Sequence, residues 1–391
     1  MLNKNLFFYV SLLCALFLFY IITPILLAIF DYEIGGYMLH GYVYSDEEIS
    51  YILSLIDIFI SQYYFLIIIL TFSLILFFTN FIFANSITNS TNDVETKNIN
   101  KVILILIFPC FFMLILDLLE IYIYTKHVDY NQSLSRDAIY HLLLDKRKTY
   151  INILIILTPI IFNSHKKISI LIYLSILLYS VLTLSRFELF LLFVVHVILN
   201  IKFSYRNFLI IVFFVFLIII MRTFITYDIQ FNTTFFWMVF DQVIIETIHV
   251  FLSNLTAFTY VKTISFTEYL RENVLFLGNN LFYQNYETIN LSKQTILYFQ
   301  NSQNYLRNYS VSGFSTILIY FPIFILEISF LYFLSKKILS PRVFIAFFVF
   351  LSLFWFRGHF IHVCLFLVKL SLLMLFILWI IKKLQLSNFK V

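Results

Sequence analysis

The sequence predicts an all-α, polytopic membrane protein with about ten transmembrane helices and one large outer loop that contains short interfacial helices. Three observations lead there. Of 391 residues, 62% are hydrophobic, 20% aromatic and only 12% charged, and the mean hydropathy is +0.94. A soluble domain lies nearer half apolar and a quarter charged. The apolar residues fall in runs long enough to cross a hydrocarbon layer, about 20 residues or somewhat fewer where the bilayer thins. The basic residues gather in alternate connections between these runs, as cytoplasmic loops do.

Candidate spans are 6–30, 58–84, 102–124, 149–163, 168–185, 187–201, 207–221, 314–335, 343–356 and 360–381. The first is too long for a signal-peptide core and lacks a small-residue cleavage site, so it reads as an uncleaved span. With the N-terminus inside, the inner segments carry Lys4, then Lys97 and Lys101, Lys166 and Lys167, Lys202 and Arg206, Lys336, Lys337 and Arg342, and finally Lys382 and Lys383. Both termini are then cytoplasmic. The first outer loop, 31–57, holds Asp31, Glu33, Asp46, Glu47 and Glu48 and no Lys or Arg. The loop 126–148 runs against the rule, with Lys126, Arg136, Lys146, Arg147 and Lys148 outside. The whole chain, 1–391, reads as one integral membrane domain, with 222–313 as the outer loop within it. That loop is rich in Tyr, Asn, Gln and Thr but includes apolar stretches such as 235–259, so helices lying on or dipping into the membrane surface are expected.

Against this pattern, Arg186, Arg222 and Arg357 stand at outer ends of apolar runs. The block between Lys167 and Lys202 is too long for one span and right for two short legs, which puts Arg186 at its apex. The block between Arg342 and Lys382 behaves alike, with Arg357-Gly358-His359 at its apex, and Arg222 ends the run 207–221. Arginine in such places is costly and presents a planar, permanently charged fork that suits phosphate oxygens. The three therefore read either as a clamp for a phosphate or pyrophosphate or as side chains snorkelling to the interface. Arg271 and Arg307 in the outer loop are further candidates.

Along 241–249, Gln242, Glu246 and His249 share one helical stripe, so Glu246 or His249 could accept a proton from a sugar hydroxyl. The alternative is the wet side of an interfacial helix. His359 and His362 follow Arg357 closely. Asp57, Asp117, Glu120, Glu327 and Lys369 lie at membrane depth, where charges pair or face a cavity: a structural network such as Lys369 with Glu327 or Asp117, or a proton path. Glu188 is placed to hold Arg186. Cys14, Cys110 and Cys364 lie in apolar runs and read as buried thiols. No phosphate-binding glycine loop, zinc-protease motif, nucleophile elbow or Asp-x-Asp pair occurs, so neither metal nor nucleotide cofactor is expected. The net charge of +5 is scattered between spans and forms no nucleic-acid surface.

The layout, many Phe- and Ile-rich spans, a large late outer loop and arginines at outer helix ends, resembles the Wzy-type O-antigen or oligosaccharide repeat-unit polymerases. Locally the resemblance rests on Leu184-Ser185-Arg186-Phe187-Glu188, Ser310-Val311-Ser312-Gly313-Phe314 and Phe356-Arg357-Gly358-His359-Phe360. The Arg-x10-Gly elements of some members are missing. The resemblance implies an enzyme of the bacterial cytoplasmic membrane that moves a glycan from undecaprenyl pyrophosphate onto an incoming lipid-linked repeat unit, building O-antigen or capsular polysaccharide. It implies membrane lipid and a chain-length regulator as further partners. In that reading the arginines and His359 bind pyrophosphate, and Glu246 or His249 takes the acceptor proton. A lipid-linked oligosaccharide flippase and the related O-antigen ligase are the alternatives.

Overall fold

The computed structural model describes residues 2–22, 68–77, 79, 93–127, 149–183, 186–200, 250, 253–254, 257–258, 260–282, 313–337, 341–356 and 360–387. Among these the protein is helical, without a strand. The helices are α1 (Leu2–Phe17, continued by a π-helical turn Leu18–Ile22), α2 (Asp93–His127), α3 (Thr149–Ile161), α4 (Lys166–Leu182) and α5 (Arg186–Asn200). They continue with α6 (Phe266–Phe282), α7 (Gly313–Ile319), α8 (Phe321–Lys337), α9 (Pro341–Phe354) and α10 (Phe360–Ser387). The segment Ile68–Phe77 is also helical. Within α2 and α10, Asn98–Tyr124 and Phe360–Leu384 are long and apolar enough to cross a membrane, and the other apolar helices are shorter. The expected span 207–221 lies outside the described residues.

Position in the bundle follows from how apolar each helix is around its circumference. Helix α3 is apolar on nearly every face, and a helix of that kind must be buried. Ile151 and 154–161 are indeed covered, and α3 packs against α2, α4, α5 and α9. Helix α9 is buried continuously from 346 to 353 and packs against α3, α5 and α10. Tyr9 ties α1 to α9 by donating to the Ser352 hydroxyl at 2.6 Å, and Ser352 donates to the Val349 carbonyl at 2.8 Å.

The outer helices invert the pattern of a soluble bundle. On α4 the covered face includes Ser169, Ser175 and Ser180, whereas Ile170, Leu171, Leu174, Leu178 and Val181 face outward. On α2, Asp117 is 1% exposed while Phe108 is 77% exposed, with Ile105, Phe112, Leu116, Leu119 and Ile123 also outward. A monomeric soluble protein rarely shows apolar stripes of this extent.

Sequence order and packing together orient the helices. Helix α4 ends at a turn where the Thr183 amide and hydroxyl both donate to the Tyr179 carbonyl, at 2.9 and 2.8 Å. Arg186 then opens α5. At the other end of α5, Asn200 donates to the Pro159 carbonyl at 2.6 Å, and Arg342 donates to Asn200 Oδ1 at 3.2 Å and to the Leu199 carbonyl at 3.4 Å. A cation on the last carbonyls of a helix is favourable with its dipole. Tyr173 and His196 join this end by a 2.8 Å hydrogen bond. The start of α9 and the end of α5 therefore share one end of the bundle, as do Lys166 and Lys167 at the start of α4. Arg186 lies at the opposite end.

The expected span 314–335 requires correction, because it is two helices broken at Tyr320. The reason is Pro322, which has no N–H to give the Leu318 carbonyl four residues earlier. Helix α6 occupies the gap: the Tyr269 hydroxyl donates to the Leu318 carbonyl at 3.1 Å, and Asn273 Nδ2 donates to the Ile319 carbonyl at 3.0 Å.

Candidate functional site

The Arg186 end of the bundle is floored by aromatic rings from five elements. Phe187, next to Arg186, meets Phe354 at the end of α9 edge to face, with centroids 5.0 Å apart. Tyr20 stacks on Phe356 at 6.4 Å, and Trp355 meets Phe314 at 6.5 Å and Phe360 at 5.6 Å. The start of α5, the ends of α1 and α9, and the starts of α7 and α10 thus converge. Phe356 and Phe360, which bracket 357–359, belong to this floor, so the described neighbours of Arg186 and of Arg357 lie at one level.

Towards the same end stands a part-buried acid–phenol group, in which Asp117 and Tyr179 are buried and Tyr150 and Glu188 half-buried. Tyr150, in the first turn of α3, donates its hydroxyl to Asp117 of α2. Tyr179, in the last turn of α4, lies within electrostatic reach of both Asp117 and Glu188. Glu188 sits in the first turn of α5, where the amide ends of the helix favour an acid. One phenol is thus bonded to Asp117, and a second lies within electrostatic reach of Asp117 and of Glu188 at the start of α5. Such a set can accept and donate hydrogen bonds to a polyhydroxylated ligand, and a carboxylate in it can take a proton from a hydroxyl.

Helix α6 is set by its own sequence and by the break in the neighbouring helix. Its start is a capping box: Ser265 N and Oγ donate to Glu268 Oε2 at 3.0 and 2.9 Å, and Glu268 N donates to Ser265 Oγ at 3.3 Å. These bonds hold the exposed Glu268 carboxyl below its usual range, and the positive charge of Arg271 adds a little. Burial pushes the Tyr269 phenol up, opposed by hydrogen bonds with the Phe321 backbone and Asn273. Further along, Phe276 meets Tyr320 at 4.3 Å and His362 at 4.8 Å. The Lys369 ammonium donates to the Asn280 carbonyl in the last turn. Helix α6 thus follows α10 from His362 towards Lys369, dipping into the bundle. It carries Arg271, which is exposed.

Several expected partners are arranged differently. Lys369 holds the end of α6 rather than Glu327, and among the described residues neither Glu327 oxygen has a hydrogen-bond partner. Asp117 is bonded to Tyr150, a phenol whose part no sequence pattern announced. Only its place in the first turn after the basic loop 126–148 hinted at an interfacial position. Tyr269 and Asn273 were equally silent, although Phe321-Pro322 was a readable signal for the break they occupy. The three cysteines are free, with Cys110 and Cys364 buried. No group of three or more His, Cys, Asp or Glu among the described residues could hold a metal ion.

Of the remaining expected site residues, the backbone of Arg186 opens α5 and Arg271 lies on α6. Arg222, Glu246, His249, Arg307, Arg357 and His359 lie outside the described residues, as do Asp57 and the loop 31–57. Comparison of the chain with family models, with curated proteins and with solved structures gives no match.

Proposed function

We propose that this chain is a polytopic membrane glycosyltransferase of the Wzy polymerase type, which transfers a glycan from a lipid pyrophosphate to a lipid-linked acceptor at the outer face of the bacterial cytoplasmic membrane. About ten spans and an outer platform formed by 222–313 belong to this reading. The outward apolar stripes of α2 and α4, with serines and Asp117 turned inward, support a lipid environment, where helix contacts favour small and polar residues. The observation that carries the functional part is the convergence of the Arg186 helix start and the two flanks of Arg357 on one aromatic floor, with Asp117 and Glu188 towards the same end.

The chemistry follows from charge. The glycosidic bond to the lipid pyrophosphate breaks as the acceptor hydroxyl attacks, and negative charge accumulates on the departing phosphate. Fixed guanidinium groups aimed at that charge lower the barrier without a metal. Aromatic rings suit the apolar faces of sugars, and carboxylates suit their hydroxyls.

Deletion of the gene followed by profiling of lipid-linked glycans is the decisive experiment. A single repeat unit on its acceptor core supports a polymerase, whereas a complete loss of transferred glycan points to the flippase or the ligase. Within that assay, Arg186→Ala, Arg222→Ala and Arg357→Ala should each leave the protein in the membrane and reduce chain extension by about 100-fold or more. Arg→Lys should restore little, since it keeps the charge and loses the fork. Long glycans from two of the three alanine variants would refute the clamp.

A further inference from the structure

The pair α8 and α10 encloses a carboxyl that glycosyl transfer does not use. Glu327 lies two turns beyond the break at Tyr320 and is 6% exposed, and both of its oxygens are buried without a hydrogen-bond partner among the described residues. Across the interface stands Cys364, completely buried and within electrostatic reach. Phe324 and Phe360, one turn nearer the Arg186 end, pack at 6.0 Å and set the register of the two helices. The other titratable groups on this part of α10 are engaged elsewhere: His362 packs on Phe276 at 4.8 Å, and Lys369 donates to the Asn280 carbonyl. Helix α7, which also packs on α8, contributes the hydroxyls of Ser315 and Thr316 and no titratable side chain. The charged residues of α6, Glu268, Arg271 and Glu272, precede Asn273, which is bonded at Ile319, two turns before Glu327.

Among the described residues, a carboxylate in such a place would have neither a hydrogen-bond donor nor a paired cation. The neutral acid costs far less to bury than the charge, and it occupies the same volume. We propose that Glu327 is a proton-binding site between α8 and α10, its ligand a single proton carried on the carboxyl. A proton held there is a titratable group inside the helical core, and any rearrangement of α8 against α10 that admits water or a cation releases it. The site is independent of the glycosyl-transfer reading.

A lipid-soluble carbodiimide, dicyclohexylcarbodiimide, tests this on the full chain in native membranes. The reagent needs the protonated acid: the carboxyl proton moves to a carbodiimide nitrogen, the carboxylate oxygen attacks the central carbon, and the O-acylisourea rearranges to a stable N-acylurea. Mass spectrometry of the α8 peptide should find the adduct on Glu327, falling at least tenfold when the medium is made strongly alkaline, and absent from Glu327→Gln. A water-soluble carbodiimide should not reach it. No adduct on Glu327 when other membrane-embedded acids are labelled, or equal labelling by both reagents, would overturn the proposal. Should Glu327→Gln fail to accumulate, infrared spectra of wild-type protein carrying isotope-labelled glutamate decide the matter. A protonated carboxyl band from a shielded glutamate at neutral pH is expected, and carboxylate bands alone would overturn it.

Discussion

The seat of α6 on the broken helix makes a quantitative prediction. Pro322 leaves the Leu318 carbonyl without its helical donor, and the Tyr269 hydroxyl donates to it at 3.1 Å. Replacing Tyr269 by Phe keeps the ring and removes only that donor. A carbonyl left without a partner in a part-buried site costs about 1–2 kcal/mol. Replacing Pro322 by Ala supplies an N–H that can close the i−4 bond to the same carbonyl. In that background Tyr269→Phe should cost only a few tenths of a kcal/mol, so the double-mutant cycle should show a coupling of about 1 kcal/mol. Asn273→Ala is the control, because Asn273 donates to Ile319 and Tyr269 carbonyls rather than to Leu318, and it should couple to Pro322→Ala weakly. Denaturant titration of the detergent-solubilised protein, followed by circular dichroism, measures all the variants. Additivity of Tyr269→Phe and Pro322→Ala within about 0.3 kcal/mol would refute the assignment of the Leu318 carbonyl to Tyr269.

Other outcomes follow from single contacts. Asp117→Ala strands the buried end of the Tyr150 hydroxyl and should destabilise by about 2 kcal/mol, whereas Asp117→Asn still accepts that bond and should cost about 1 kcal/mol or less, as read by thermal melts. Lys369→Met removes the cation from the last turn of α6. Amide hydrogen exchange over the end of α6 should then accelerate by about tenfold, while the capped start stays protected. The Glu268 carboxyl is held below its unfolded value, so the stability it contributes is present above the ordinary glutamate range and is lost as pH falls through the lower, folded value. The thermal midpoint of the wild type should therefore fall more steeply with acidification than that of Glu268→Gln. Parallel curves would contradict the capping role.

Much of the helical layout was readable in the chain because long apolar runs admit few alternatives. Helices α3 and α10 were marked by apolar runs in the sequence, 149–163 and 360–381. The α4–α5 hairpin followed from a block too long for one leg and interrupted at Ser185-Arg186. Failures came where the deciding contact is distant in sequence. Lys369 had two candidate partners in the sequence, Glu327 and Asp117, and its donation to a backbone carbonyl of α6 depends on a docking that no periodicity records. The break at Tyr320 was missed although Pro322 signals it, because apolarity continues unbroken across it.

By itself the sequence determined the helical class, the succession of apolar runs and the place of Arg186, Arg222 and Arg357 at the ends of such runs, since all three depend on composition and spacing along one chain. Only the tertiary structure decided that Tyr150 serves Asp117, that Tyr269 and Asn273 complete a broken helix, that Phe187 meets Phe354 and that Glu327 stands without a donor among the described residues. The physical reason is the same for each: a buried polar or aromatic group is defined by what lies across the interface, and the neighbour across an interface is chosen by helix packing, over separations from 33 to 167 residues along the chain in the first three of these contacts and the ring pair.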